Sequence, residues 1–199
     1  NVRSHLYGVH EVMNLACFSQ LEVNPVRKLK LFACIRVEQN ALDNIKDRVV
    51  SVFRTGINWQ AAEYTFLRAS FGQGYRYPSI AEKHASTTLG SVKIFPNPYV
   101  NAESGWSSEI GIKQGIKIGS MTGQADFSAF LSRNKDMIEY VFSNYPDPVT
   151  GVFDLGFQAN NVEQSSIYGF ETEFSITRSA GNINTTLNGG YTYIYPVEF

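Results

Sequence analysis

The chain has 199 residues, of which 43% are hydrophobic, 14% are aromatic and only 18% are charged. A soluble domain carries about 25% charged residues on average, so this composition favours β structure with an apolar surface. With 17 Lys and Arg against 18 Asp and Glu, the net charge of -1 creates no field that would attract nucleic acid. The longest apolar runs are short pieces such as residues 31–35, whereas a membrane-spanning helix needs about 20 apolar residues, which excludes helical membrane proteins.

The first ten residues lack a charged segment followed by an apolar one, so an exported form of this protein would begin upstream. From Met13 onward, apolar and polar residues alternate in about eight segments. A period of two is typical of β-strands. The clearest case is residues 166–177, where one face is apolar and the other is polar. The apolar face comprises Tyr168, Phe170, Thr172, Phe174 and Ile176, and the polar face Gly169, Glu171, Glu173, Ser175 and Thr177.

The connections between these segments alternate between short and long. In chain order they are a tight turn at 24–27, a medium loop at 39–48, a short turn near 61–63, a very long loop at 75–103, a turn near 116–121, a long loop at 143–160 and a short turn at 179–182. Transmembrane barrels have short periplasmic turns and long extracellular loops, whereas a soluble sandwich has no reason to sort its loops by length. The pattern therefore predicts strands that cross an outer membrane up and down.

Aromatic residues are expected at the two interfaces of this membrane, because amphipathic rings favour such belts. The predicted outer belt comprises Tyr140, Phe142, Trp106, Tyr191, Tyr193 and Tyr195, and the inner belt Trp59 and Tyr64.

An open sheet cannot sit in hydrocarbon, because every backbone N–H and C=O there must be paired. The eight strands must therefore close into a small barrel or belong to a larger one. A small barrel fills its interior with packed side chains, whereas the polar faces here carry many glycines and amides, which suit a wide lumen. The sequence thus predicts an all-β fold, a segment of about eight strands from a larger transmembrane antiparallel up-and-down β-barrel.

The two cysteines and three histidines do not predict a metal site. Zinc is held by four clustered ligands, and the histidines are scattered at positions 5, 10 and 84. A disulfide between Cys17 and Cys34 stays open, because a symmetric turn at 24–27 would place them opposite each other. Side-chain alternation instead puts Cys34 on a polar face and Cys17 on an apolar one, so we favour two free thiols.

Two long motifs resemble the barrel of TonB-dependent outer-membrane receptors. They are LRASFGQGYRYPSIAEKH at residues 67–84 and FPNPYVNAESGWSSEIGIKQG at residues 95–115. The first is similar to a GxGFRxPS-xxE pattern and the second to an NPxLxPE-xxxxEΔG pattern. The matching positions are Gly72, Gly74, Tyr75, Arg76, Pro78, Ser79, Glu82, Asn97, Pro98, Glu103, Glu109 and Gly111. Tyr75 replaces the usual Phe, Cys17 and Cys34 stand where Gly is expected, and the style resembles receptors of the Bacteroidetes branch.

This resemblance implies a barrel of about 22 strands, with residues 1–199 as a partial barrel domain and the plug domain absent from this chain. It implies active uptake of a scarce nutrient, most often a ferric siderophore or similar metal chelate. The partners implied are the TonB complex, acting through regions outside this chain, outer-membrane lipid and a surface lipoprotein, with no cofactor. The implied location is the outer membrane of a Gram-negative bacterium.

Ligand capture by such a receptor would use the long loops. The candidate residues are Tyr75, Arg76, Tyr77, Lys83, Phe95 and Tyr99, which are types that stack on or orient a chelate or sugar. Other roles are open for them, since aromatic loop residues usually pack on each other. We favour a pairing of Arg76 and Glu82 with neighbouring wall or plug groups over direct ligand contact, and a solvated His84 over a metal ligand.

Two other functions compete with active uptake. A passive barrel or pore would lack a plug, and a soluble β-sandwich binding module would bury its apolar face under a second sheet. An enzyme is not expected, because the chain has no nucleophile elbow, phosphate loop or metal-ligand spacing and therefore no predicted catalytic residue.

Overall fold

A computed structural model describes residues 2–90, 92–147, 150–162 and 164–198. About four fifths of them are in β-strands. The strands are β1 (Val2–Ser4), β2 (Gly8–His10), β3 (Val12–Val26), β4 (Leu29–Leu42), β5 (Ile45–Lys46), β6 (Val50–Ala62), β7 (Thr65–Arg76), β8 (Thr87–Leu89), β9 (Val92–Phe95), β10 (Glu103–Ile118), β11 (Met121–Lys135), β12 (Met137–Pro146), β13 (Phe153–Val162), β14 (Ser165–Ala180) and β15 (Ile183–Glu198). A short helix, α1 (Ile80–His84), follows β7. The described residues form no helix with the length and hydropathy of a membrane-spanning segment.

Eight long strands form one antiparallel wall in the order β15-β14-β11-β10-β7-β6-β4-β3, with β5 paired to β4. The shortest of the eight has 12 residues and the longest 16, more than the roughly 9–11 that a tilted strand needs to cross a bilayer. This confirms the predicted up-and-down wall. The ends of the described wall, β3 and β15, do not pair with each other, as expected for part of a larger barrel.

Short and long connections lie at opposite ends of the wall. At one end, two-residue turns at 27–28, 63–64, 119–120 and 181–182 join neighbouring strands. At the other end, the connections are residues 43–49, 77–102 and 136–164. The predicted alternation is confirmed, although the first turn lies two residues later than expected because β3 continues past a bulge between Val23 and Val26. Residues 91, 148, 149 and 163 of the long connections lie outside the described ranges.

One predicted part of the wall is wrong. The sequence predicts Tyr140 and Phe142 at the outer interface of the wall, but both lie in β12, which pairs with β13 and not with the wall. Asp136, with φ of 55°, ends β11 and turns the chain away, and β11 pairs directly with β14. Alternation of apolar and polar residues is the same in a wall strand and in a protruding hairpin, so the pattern could not separate them.

The protruding hairpin belongs to a second sheet at the long-loop end, in the order β12-β13-β9-β8. We call it the outer sheet. Its β9 runs parallel to β13, and Lys93 bridges them through Asp154 at 2.9 Å. The buried apolar residues among those described lie towards this end of the molecule. They are Ala41, Leu42, Ala85, Phe95, Val100 and Ala159.

Within the described residues, no second sheet covers the apolar face of the wall. Tyr168, Phe174 and Ile176 remain 45%, 43% and 39% exposed. A sandwich would bury these side chains between two sheets, so the soluble β-sandwich alternative is wrong. The strand register also places the two cysteines on opposite faces of the wall. Cys17 pairs with Val37 and shares its apolar face, whereas Cys34 pairs with Arg54 and shares its polar face. Both thiols are free, as favoured from the alternation.

Candidate functional site

Arg76 stands at the end of β7 and connects three elements of the long-loop end. Its Nε donates to Oε1 of Glu103 at 2.7 Å, at the start of β10. Its Nη1 and Nη2 each donate to a Glu82 carboxylate oxygen in α1 at 3.0 Å. Glu103 also accepts from the backbone N–H of Ile138 at 3.1 Å, which brings in β12. We call the group Arg76, Glu82 and Glu103 the clasp.

Helix α1 is positioned by the motif residues that precede it. Pro78 ends the extended chain, and the Ser79 hydroxyl caps the helix by accepting from the N–H of Glu82 at 3.2 Å. The Glu82 carboxylate accepts in return from the Ser79 N–H at 2.6 Å, which completes a capping box. Burial works against ionisation of Glu82, but the hydrogen bonds from Arg76 and Ser79 hold the pKa of its carboxyl below its usual range. The Glu82 carboxylate is therefore charged.

The second motif anchors the loop to the outer sheet. Asn97 donates from Nδ2 to the carbonyl of Ala159 at 2.8 Å and to Oδ1 of Asn160 at 3.0 Å. Asn161 pairs with the backbone of Asn101 in both directions, at 2.8 Å and 3.0 Å. The motif residues at this end are therefore joined to neighbouring protein groups.

The six candidate ligand residues do not form one cluster. Tyr75 and Tyr77 meet edge to face with ring centroids 5.0 Å apart, and the Tyr77 hydroxyl donates to the Arg48 carbonyl at 3.1 Å. Phe95 is only 3% exposed and packs against Tyr145 in the outer sheet. Lys83 is half-buried on α1, and Arg76 is held in the clasp. Tyr99 is 86% exposed on its loop.

A cavity of about 660 Å³ adjoins the clasp. Its lining includes Arg54, Tyr75, Arg76, Glu103, Trp106 and Asn134. Glycines at 72, 74 and 105 also line it, so the backbone of β7 and β10 is accessible there. Two of the six candidates, Tyr75 and Arg76, therefore reach this cavity.

Lower on the polar face of the wall, three strands share an ionic network that sequence reasoning missed. Arg68 on β7 donates from Nε to Glu109 at 3.0 Å and from Nη1 to Asp126 at 2.9 Å. Gly111 makes room for this reach, because a Cβ there would lie 2.7 Å from the Arg68 guanidinium carbon. The motif already contained Glu109 and Gly111, but their shared partner depends on strand register.

A further cluster joins residues that are far apart in sequence. The Nδ1 atom of His10 lies 2.6 Å from Oδ2 of Asp43, and the rings of His10 and His84 stack with centroids 4.3 Å apart. The ligand atoms of these three residues all lie within 4.8 Å of one another. The hydrogen bond with Asp43 raises the pKa of His10, whereas burial lowers the pKa of His84. The expectation that the histidines are scattered is wrong for this pair.

An eight-stranded antiparallel wall with an uncovered apolar face, a polar inner face and loops sorted by length defines a transmembrane β-barrel segment. The sequence matches the family described as TonB dependent receptor-like, beta-barrel, over residues 2–198. The chain belongs to this family. Barrels of this family lie in the outer membrane of Gram-negative bacteria, so the long-loop end faces the cell exterior. Assignment to the Bacteroidetes branch stays a prediction.

Several solved structures share the fold of this chain. The hemophore receptor HasR from Serratia marcescens, in complex with its hemophore HasA and heme, has a TM-score of 0.73 at 15% identity over 94% of this chain and 35% of its own. A mutant of the ferric enterobactin receptor PfeA from Pseudomonas aeruginosa, in complex with enterobactin, gives 0.70 at 16% identity over 92% and 27%. The siderophore receptor PirA from Acinetobacter baumannii gives 0.63 at 17% identity over 91% and 27%. This chain thus spans about a third or less of these receptors, and no curated protein matches its sequence.

Proposed function

We propose that the full-length protein takes up a metal chelate across the outer membrane in a TonB-dependent manner, with a ferric siderophore as the first substrate class to test. The observation that carries this proposal is the polar inner face of an eight-stranded wall whose end strands, β3 and β15, do not pair with each other. Ionised groups such as Arg68, Glu109 and Asp126 line that face. A wide polar lumen needs a plug to prevent leakage, and we place that plug, and the segment that contacts TonB, outside this chain.

The outer sheet and the clasp provide the exterior surface where a chelate would first bind. Tyr99 is the strongest ligand candidate, because it is exposed and its side chain is free to stack on a planar chelator. Tyr75 and Arg76 line the cavity below, and Lys83 offers a cation for an acidic chelate. Phe95 supports the outer sheet from within, so its contribution is to position the loop. A surface lipoprotein and outer-membrane lipid complete the proposed partners.

The proposal is tested by uptake in cells that lack the chromosomal receptor and carry the full-length gene on a plasmid. Radiolabelled iron supplied as a panel of ferric siderophores, or as heme, should accumulate only when TonB is present. Accumulation that does not depend on TonB would instead support the passive pore.

Tyr99→Ala should raise the half-saturating concentration about two- to tenfold, since an aromatic contact contributes about 0.5–1.5 kcal/mol. Tyr191→Ala is the matched control, because Tyr191 is 57% exposed on the lipid face of β15.

A further inference from the structure

Three separate chain segments meet at the exterior end of the wall. His10 closes the small hairpin of β1 and β2, Asp43 occupies the turn between β4 and β5, and His84 ends helix α1. We propose that His10, Asp43 and His84, the rim cluster, bind a divalent first-row transition-metal ion such as zinc. The proposal does not depend on which substrate the receptor carries.

The hydrogen bonds of His10 set the ring in an orientation suited to a metal. Its Nε2 lies 2.6 Å from the Tyr7 carbonyl, which can only accept, so the proton belongs on Nε2. Its Nδ1 then points a lone pair at the Asp43 carboxylate, 2.6 Å away. Two acceptors 2.6 Å apart share a second proton, and a metal ion can replace that proton once the two atoms move apart to about 3.3 Å. A backbone carbonyl that holds the distal N–H of a histidine is the usual support for a metal-bound imidazole.

The carboxylate is fixed in place before any ion arrives. Oδ1 of Asp43 accepts from the Glu11 N–H at 2.9 Å, and the Asp43 N–H donates to the Glu11 carbonyl at 2.9 Å. Asp43 also has φ of 52°, so its backbone conformation is specified by the turn. Only Oδ2 is therefore directed towards His10. This arrangement leaves one oxygen for an ion and one for the scaffold.

His84 supplies the third donor. Its ring stacks on that of His10 at an interplanar angle of 23°, and no hydrogen bond to it is found within the described residues. Donor atoms around zinc lie about 2.0–2.2 Å from the ion, hence about 3.3 Å from each other. Side-chain rotations bring the set to that value, since the Nδ1–Oδ2 distance of 2.6 Å has to open and the widest distance, at most 4.8 Å, has to close. Two imidazoles and one carboxylate favour zinc, nickel or copper over calcium and magnesium, which prefer oxygen ligands.

Metal binding would fasten the first hairpin to the rest of the exterior end. Apart from the rim cluster, a backbone bond from Ser86 to the Leu6 carbonyl at 2.8 Å links this hairpin to the segment after α1. Helix α1 is in turn held by the clasp through Glu82. An ion that binds only the assembled cluster would stabilise these contacts by mass action.

The test uses the full-length receptor, purified in detergent, stripped with a chelator and titrated with zinc chloride by calorimetry. Wild type should bind one more equivalent of zinc than His10→Ala or His84→Ala, or bind it at least tenfold more tightly. Asp43→Asn should weaken binding while keeping the oxygen that accepts from Glu11. His5→Ala is the matched control, because His5 is the remaining histidine and lies outside the cluster.

Two further readouts keep the result decisive. Each variant must retain the fast electrophoretic mobility of a folded barrel, so that loss of binding is not loss of fold. Zinc should slow deuterium uptake in residues 2–10 and 80–86 of wild type and His5→Ala but not of His84→Ala. Equal stoichiometry and affinity in wild type and His84→Ala, or an equal loss in His5→Ala, would overturn the proposal. Failure of siderophore uptake would leave these measurements unchanged, so the two proposals are separable.

Discussion

Replacing Arg76 by Met should loosen the exterior end of the wall without unfolding the barrel. Hydrogen bonds to charged groups contribute about 1.5–3 kcal/mol when shielded, and exposed ion pairs about 0.2–1 kcal/mol. The Arg76 side chain is 46% exposed, whereas Glu82 and Glu103 are only 14% and 27% exposed, so the clasp lies between these limits. We expect the free energy of local opening to fall by about 1–2 kcal/mol, a factor of about 5–30 in the open population.

Hydrogen–deuterium exchange of the full-length receptor in detergent measures this effect. Amides of residues 77–86 and 137–146 should exchange about 5–30 times faster in Arg76→Met, while the short turns at the periplasmic end stay unchanged. Arg133→Met is the control, since Arg133 lies over the Trp106 ring at 5.9 Å and has no ion pair among the described residues. Unchanged exchange near α1, or faster exchange throughout the wall, would refute the reasoning, because it would mean that the clasp does not hold these elements locally.

Two further predictions concern the outer sheet and the orientation of the wall. Gly156→Ala would place a Cβ 2.3 Å from the Lys93 carbonyl, so it should separate β9 from β13 and raise deuterium uptake in both, whereas Gly74→Ala, with open space around it, should not. In lipid vesicles, a lipid-soluble maleimide should label the receptor at Cys17, because Cys17 lies on the apolar face and Cys34 on the polar one. The label should disappear in Cys17→Ser and remain in Cys34→Ser. The reverse pattern would mean that the wall is inside out.

Local pattern was sufficient to predict the wall except where β12 leaves it. The alternation around Phe170 and Glu171 specifies which side of the sheet each residue occupies, since a strand repeats every two residues. The sorting of loop lengths then identifies a membrane barrel, because only there do the two ends face different compartments. The very long loop predicted to begin at residue 75 begins at residue 77, since β7 ends at Arg76. These features depend on neighbours a few residues apart.

Features that depend on distant partners were not predictable in this way. The Arg68 network joins residues 41 and 58 positions apart, and His10 lies 33 positions from Asp43. The turn that diverts β12 from the wall depends on one residue, Asp136, in a left-handed conformation. None of these leaves a periodic signal. Strand register has to be known before such side chains can be paired.

The open edges of the wall lead to a last prediction. Strands β3 and β15 each have one neighbour in the described wall, so each presents a row of unpaired backbone groups along its other side. An unpaired group costs several kcal/mol in hydrocarbon, and a strand of 15 or 16 residues presents many of them. Residues 1–199 produced alone should therefore fail to give a detergent-resistant monomer on gels, whereas the full-length receptor should give one. A stable, folded monomer of residues 1–199 would mean that these edges can pair with each other, and the wall would then be a complete small barrel.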